Sequence, residues 1–171
     1  MKIAYIDLNP IDYYEDYSIN PQRYGGGRVF ASWFKQFPEF FIFAATETFS
    51  SLSENDRKTN CIPITTEARQ AIWRGEPVAN HIPYANSFDL FVHLHPEISL
   101  NLTGLKSKEL LWLAGYDQHV NSKVEHIAIY NNFQKPVILG DSKSPKIYYF
   151  QLGYPIRPFK ENQKEDFGES V

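Results

Sequence analysis

The sequence predicts an α/β domain built on a mostly parallel, doubly wound sheet. Short, continuous apolar runs recur along the 171 residues, and helical or irregular stretches separate them. Strands that are buried on both faces of a parallel sheet have this pattern. A chain of this length supports one sizeable core and not two, so we assign residues 1–159 to a single domain. We expect residues 160–171 to form a polar tail or the start of a linker.

The first element is a buried strand over residues 2–8, which the pair Asn9-Pro10 stops. A polar, tyrosine-rich loop follows over residues 11–24. The glycine run comes next and opens a predicted helix, which places Val29, Phe30, Trp33, Phe34 and Phe37 on one apolar face. Pro38 ends that helix.

The remaining elements continue the alternation. Residues 39–45 are a second buried strand, a Ser/Thr/Asn-rich connection covers residues 46–60, and residues 61–65 are a short third strand. A helix through residues 67–73 stops near Gly75 and Pro77. Four more apolar runs predict strands, and these are residues 87–94, 109–114, 126–130 and 146–150.

Composition and charge limit the classes of function. With 43% hydrophobic and 22% charged residues the chain is an ordinary globular protein. A net charge of −3 and basic runs of at most two residues argue against nucleic acid as a partner. The single cysteine, Cys61, fits a reducing compartment, and no apolar run is long enough to cross a bilayer. We therefore expect a cytoplasmic protein without a transmembrane segment.

Aromatic residues make up 16% of the chain, with 13 Phe, 11 Tyr and 3 Trp. One interpretation is a bulky core with tyrosines at its edges. The other is a surface on which sugar rings stack.

Residues that directly follow the strands are the candidates for a functional site, because ligands of doubly wound sheets bind at the carboxyl ends of the strands. The first such place is the run Gly25-Gly26-Gly27-Arg28. Free N–H groups at a helix start favour an anion, and glycines let a phosphate approach the backbone. The alternative is a flexible turn with a glycine cap. The run matches neither the GxGxxG fingerprint nor a P-loop.

The second place is the pair His93 and His95, which point to the same face of a strand because they are two residues apart. A zinc pair is one interpretation, but no second cluster in the chain has ligand spacing. A histidine that hydrogen-bonds a polar ligand is the second, and a histidine satisfied by the backbone is the third.

Two further polar clusters follow strands. Tyr116, Asp117 and His119 come after a strand that breaks at glycine, and Asp117 and His119 suit acid/base work or hydroxyl binding. A turn with an aspartate cap is the alternative. Asn131 and Asn132 follow the next strand, where they either bind hydroxyls or form an Asx turn.

Taken in order, three segments resemble a known family. They are the glycine run with Arg28, the strand Phe88-Asp89-Leu90-Phe91-Val92-His93-Leu94-His95, and the closing strand and turn KIYYFQLGYP. Together they resemble the amino-terminal half of a glycosyltransferase of the GT-B fold, most like retaining family four. The resemblance covers nearly the whole chain and implies a Rossmann-like domain.

The resemblance implies transfer of a sugar from a nucleotide-sugar donor to an acceptor, which we expect to be a glycan. It implies no metal and no cofactor besides the nucleotide-sugar substrate. The implied donor-phosphate residues are Gly25, Gly26, Gly27 and Arg28. The implied catalytic residues are His95, Asp117 and His119, and the implied acceptor residues are His93, Tyr116, Asn131 and Asn132.

The chain departs from the family in two respects. The histidine that the family often has directly after the strand at residues 109–114 is missing there, and His119 lies a few residues late. The family's second domain, which grips most of the donor, is also missing from the 171 residues. We therefore expect the chain alone to be incomplete for catalysis. The rival hypothesis is a non-catalytic α/β module that binds a partner or a small anion.

Overall fold

The computed structural model describes residues 1–8, 39–45, 61–113, 118–129, 137–139 and 144–149. Nine strands lie in these ranges. In chain order they are β1 (Ile3–Ile6), β2 (Phe40–Ala45), β3 (Cys61–Ile64), β4 (Leu90–His93), β5 (Lys108–Trp112), β6 (His119–Asn121), β7 (His126–Ile129), β8 (Val137–Leu139) and β9 (Lys146–Tyr149). One α-helix, α1 (Thr66–Trp73), and two 3-10 turns, Val78–Asn80 and Ala85–Ser87, complete the described elements.

Seven strands form one sheet in the order β3-β2-β1-β4-β5-β7-β9, and each of its pairings is parallel. The chain moves outward from β1 through β2 to β3, and then crosses back to place β4 on the other side of β1. The strand order therefore reverses between β1 and β4. The α/β class and the mostly parallel sheet predicted from the apolar runs are confirmed.

Both faces of the sheet carry buried side chains, which alternate along each strand. In β1, Ala4 and Ile6 belong to one core cluster, whereas Ile3 and Tyr5 belong to another on the opposite face. Strand residues two apart share a face, so continuous apolar runs bury both sides. The helix predicted to carry Val29 to Phe37 lies outside the described residues.

The helix α1 begins and ends where its sequence indicates. The Thr65 side chain accepts a hydrogen bond from the Ala68 N–H (3.2 Å) and caps the amino terminus. Gly75 ends the helix with φ 90°, a left-handed conformation that favours glycine, and its N–H donates to the Ile72 carbonyl (2.9 Å). Ile72 is buried in the core cluster that also contains Ile6.

The connection from β4 to β5, residues 94–107, contains no helix. It instead covers the sheet with Ile98 and Leu100, which are buried in the same cluster as Ile6. Pro96 and Gly104 disfavour a continuous helix in this segment. The crossover is therefore irregular, and side-chain hydrogen bonds fix the path of its backbone.

The carboxyl-terminal half alternates between two sheets. After β5 the chain forms β6, returns to the main sheet as β7, leaves again as β8 and returns as β9. The strands β6 and β8 pair in parallel as a separate two-stranded sheet. Val120 of β6 is fully buried in a cluster with Leu111 and Ile127, so this small sheet covers the main one where a helix usually would. The sequence did not predict β6 or β8, because three residues are too few for a periodic signal.

Part of the aromatic excess belongs to the core. Phe88 makes edge-to-face contacts with Phe41, Phe43 and Phe91 at ring-centroid distances of 5.2, 5.6 and 5.7 Å. These four rings support the core interpretation of the composition.

Candidate functional site

The reversal of strand order places the ends of β1 and β4 side by side at the carboxyl edge of the sheet. Tyr5 pairs with Val92 in register, so the residues that follow these two strands emerge together. Crevices of this kind are where ligands of open α/β sheets bind. The residues of β4 that reach this edge are His93 and, just beyond it, His95.

A tight turn follows β4 and carries His95 at its first position. The Ile98 N–H points at the His95 carbonyl (3.5 Å), and Pro96 occupies the second position, which proline favours. Asn121 of β6 clamps this turn. Its backbone N–H donates to the Pro96 carbonyl (2.7 Å), and its side-chain Nδ2 donates to the Glu97 carbonyl (3.2 Å). Asn121 thus holds the two central residues of the turn.

His93 is fully buried, with 0% of its surface exposed, and both of its ring nitrogens are hydrogen-bonded within the protein. Its Nδ1 accepts the backbone N–H of His95 (3.3 Å). Its Nε2 lies 2.9 Å from Oε1 of Glu109 on β5. In this arrangement the ring joins the end of β4 to the neighbouring strand. The sequence-based role for His93 in acceptor binding stays a prediction.

Glu109 is a carboxylate that is only 9% exposed and receives three hydrogen bonds. Besides His93, the backbone N–H of Leu100 donates to Oε1 (2.6 Å) and the Ser99 hydroxyl donates to Oε2 (2.8 Å). A buried carboxylate is tolerated when its lone pairs are satisfied in this way. Glu109 therefore ties the irregular β4–β5 crossover and the His93 ring to one point on the sheet.

His95 is the histidine that reaches the edge. It is 7% exposed, and its ring packs against Trp73 of α1 in an edge-to-face contact with centroids 5.0 Å apart. Burial, and secondarily the nearby His93, lower the pKa of His95 to about 3 from an ordinary value of 6.5. The ring is therefore neutral at physiological pH and offers one N–H donor and one lone pair.

No described residue hydrogen-bonds to the His95 ring nitrogens. Glu97, whose side chain is exposed, places Oε1 4.0 Å from Nδ1, which is beyond hydrogen-bond distance. A ligand hydroxyl oxygen placed about 2.8 Å from both Nδ1 and Oε1 would make an Nδ1···O···Oε1 angle of roughly 90°. Such a hydroxyl can accept a hydrogen bond from the imidazole and donate one to the carboxylate. The pair is spaced to share one hydroxyl group.

His119 is exposed on β6, two residues before Asn121. The two side chains lie on the same side of the strand, because Val120 between them points into the core. Since Asn121 bonds the 95–98 turn, the structure brings the strand that carries His119 next to the turn that carries His95.

The other predicted site residues lie outside the described residues. They are Gly25, Gly26, Gly27, Arg28, Tyr116, Asp117, Asn131 and Asn132.

Sequence reasoning missed Glu109, Ser99 and Trp73. A signal existed for Glu109, since a lone carboxylate in the buried strand KELLW needs internal donors. No local pattern pointed to Ser99 or Trp73, because tertiary packing alone brings them to the site.

Within the described part of the chain, no group of three or more His, Cys, Asp or Glu side chains is arranged to hold a metal ion. Nor does any helix among those residues have the length and apolar character needed to cross a membrane. Comparison with protein-family models, curated proteins and solved structures gives no match for this chain.

Proposed function

We propose that this chain is the acceptor-side domain of a glycosyltransferase, the amino-terminal half of a doubly wound GT-B fold, and that its ligand binds where β1 and β4 meet. The observation that carries the proposal is His95. A neutral, nearly buried imidazole without an internal hydrogen-bond partner among the described residues lies just past β4, at the point where the strand order reverses. Because no described residue bonds the ring nitrogens, the N–H and the lone pair of His95 are available to a ligand at this edge.

The electrostatics favour a sugar hydroxyl over a phosphate at His95. An imidazole whose pKa is about 3 carries no positive charge near neutral pH, so it does not attract an anion. It hydrogen-bonds a neutral hydroxyl well, and Glu97 with Oε1 at 4.0 Å from Nδ1 complements it. In this proposal His95 and Glu97 contact the acceptor, and His119 belongs to β6, the strand whose Asn121 bonds the turn that carries His95.

The donor half of the proposal depends on residues outside the described ranges. Gly25, Gly26, Gly27 and Arg28 face the donor diphosphate, and Tyr116, Asp117, Asn131 and Asn132 complete the acceptor and catalytic groups. Their support is the sequence resemblance and the position of each segment directly after or between predicted strands. A second domain supplies the remaining contacts to the nucleotide.

The test is calorimetric titration of the chain with two sets of probes, a panel of nucleotide-sugars and a panel of methyl glycosides. His95→Gln removes the imidazole, and we expect it to weaken glycoside binding by roughly tenfold, the loss of about one hydrogen bond. His126→Gln is the matched control, because His126 opens β7 at the opposite edge of the sheet. Gly26→Val should weaken binding of the nucleotide-sugars only.

Equal glycoside affinity in wild type and His95→Gln would contradict the hydroxyl role. Unchanged nucleotide-sugar affinity in Gly26→Val would contradict the phosphate role of the glycine run.

The same histidine favours a second candidate function, a non-catalytic binding module. An efficient general base has a pKa near the working pH, and a group with a pKa of about 3 is a weak proton acceptor. If the chain binds glycosides but the complete protein shows no transfer from any nucleotide-sugar, the binding module is the better description.

A further inference from the structure

We propose that Glu109 and His93 are positioning residues for His95: Glu109 fixes the tautomer of His93, and His93 holds the backbone from which the His95 ring reaches the site. This inference rests on the proposed ligand role of His95. Its structural part is independent of that role and is tested separately below.

The tautomer of His93 follows from the direction of one hydrogen bond. A backbone N–H can only donate, so the N–H of His95 requires a bare lone pair on His93 Nδ1 at 3.3 Å. The ring hydrogen of His93 must then be on Nε2, where it points at Glu109 Oε1 at 2.9 Å. A hydrogen on Nδ1 would instead face the N–H of His95.

Glu109 is suited to enforce this state because donors surround it. The N–H of Leu100, the hydroxyl of Ser99 and His93 Nε2 all converge on its two oxygens at 2.6 to 2.9 Å. With an acceptor fixed at Oε1, the tautomer that carries hydrogen on Nε2 gains a bond, and the other tautomer leaves two lone pairs facing each other.

The bond to His93 also explains why the chain leaves the sheet where it does. The strand β4 ends at His93, and the N–H of His95, two residues further on, donates to the His93 side chain. The backbone is thereby turned into the 95–98 turn. Without the His93 lone pair, His95 loses the contact that sets its orientation.

A merely structural role for Glu109 is the alternative, since Glu109 also anchors the β4–β5 crossover through Ser99 and Leu100. Two variants of Glu109 and one of Ser99 separate the roles. Glu109→Gln keeps an acceptor oxygen near His93, because its amide NH₂ can point toward Ser99. The Ser99 hydroxyl then accepts from that NH₂ group. Glu109→Met removes both acceptors at similar volume. Ser99→Ala removes one crossover bond and leaves Oε1 untouched.

The readout is the imidazole and amide nitrogen spectrum of the full chain labelled with ¹⁵N. In wild type, Glu109→Gln and Ser99→Ala we expect His93 Nδ1 to resonate as an unprotonated nitrogen. In Glu109→Met we expect that signal to move toward the protonated position, with a shift of the His95 amide. We also expect roughly tenfold weaker binding of the methyl glycoside used above.

If Glu109→Met does not fold, two variants of His93 give the answer. The Asn side chain can place its oxygen near the position of Nδ1, whereas the Gln side chain reaches toward the position of Nε2. We expect the His95 amide resonance to stay near its wild-type position in His93→Asn and to shift in His93→Gln.

A wild-type His93 protonated on Nδ1 would overturn the proposal. The proposal would also be overturned if the His95 amide resonance did not change in Glu109→Met, or if both His93 variants shifted it equally. A wild-type chain with the expected tautomer that binds no glycoside supports the positioning role and overturns the proposed function.

Discussion

His95 combines burial with neutrality, and both have a thermodynamic cost. A histidine whose pKa falls from 6.5 to about 3 on folding resists protonation only in the folded state. Between these two pH values the unfolded chain binds a proton that the folded chain does not. The contribution of His95 to stability is therefore fully present above pH 6.5 and is lost as the pH falls through the window toward 3.

We predict that His95→Gln makes the protein less sensitive to acid. The wild type should lose about 1.4 kcal/mol of unfolding free energy per pH unit from this residue below its ordinary pKa, and the variant should lack this contribution. Urea unfolding between about pH 7 and about pH 4.5 measures it. Parallel pH dependences in wild type and variant would show that His95 is not the buried neutral group described.

At the residue scale the sequence predicted where His93 and His95 lie, and their roles in ligand binding stay predictions. The spacing of His93 and His95 placed both on one face of a strand, and the end of that strand pointed to His95. The different environments of the two histidines were not predictable. They depend on Glu109, which is sixteen residues from His93 in sequence and lies diagonally opposite it on the adjacent strand β5. A carboxylate that satisfies a buried histidine leaves no local signature.

At the scale of elements, two asparagines play the same role in two turns. Asn121 donates its amide to the Glu97 carbonyl (3.2 Å) and accepts the Lys123 N–H (3.0 Å). Asn101 donates to the Gly75 carbonyl (2.9 Å) and accepts the Thr103 N–H (3.1 Å). Each forms an Asx turn and ties its loop to an earlier segment of the chain. Only Asn121 clamps the turn that carries His95.

We predict that Asn121→Ala and Asn101→Ala cost similar stability, about 1 to 2 kcal/mol each, since each loses the same two hydrogen bonds. Their effects on the site should differ. Asn121→Ala should shift the His95 ring resonances and weaken glycoside binding, and Asn101→Ala should do neither. Chemical unfolding and spectra of both variants provide the comparison, and equal spectral effects at His95 would contradict the clamp.

The long apolar runs at residues 2–8, 39–45 and 126–130 were predictable as strands, since each is continuous, β-rich and bounded by turn residues. The crossovers were less so. Leu94, Ile98, Leu102 and Leu105 stand at helical spacing, yet residues 94–107 form no helix. The segment covers the sheet with Ile98 and Leu100 and is bonded to Glu109. Its course is set by long-range hydrogen bonds, which a sequence pattern does not record.

At the scale of the whole molecule, the parallel sheet was predicted because burial on both faces leaves a clear pattern in every central strand. The small sheet of β6 and β8 was missed. Parallel pairing of three-residue strands eighteen residues apart, as between His119 and Val137, has no signal of its own in the sequence.

We predict that the chain alone shows little or no sugar transfer, even with every nucleotide-sugar of the panel and saturating acceptor. In the proposed function the chain is one half of a two-domain cleft. Half of such a cleft does not exclude water or orient both reactants, and orientation supplies a large share of the rate. Product formation assayed by mass spectrometry tests this. Robust turnover by the isolated chain would contradict it.

The position of β1 in the middle of the sheet also affects how the protein is made. Its neighbours β2 and β4 are both synthesised later, and the Lys2 N–H bonds to the Asp89 carboxylate, 87 residues further on. At roughly 5 to 20 residues per second, a ribosome needs about 4 to 17 seconds to cover that distance. During this interval the apolar strand Ile3–Ile6 has one of its two partners at most, so the nascent chain offers a binding site for chaperones until β4 emerges.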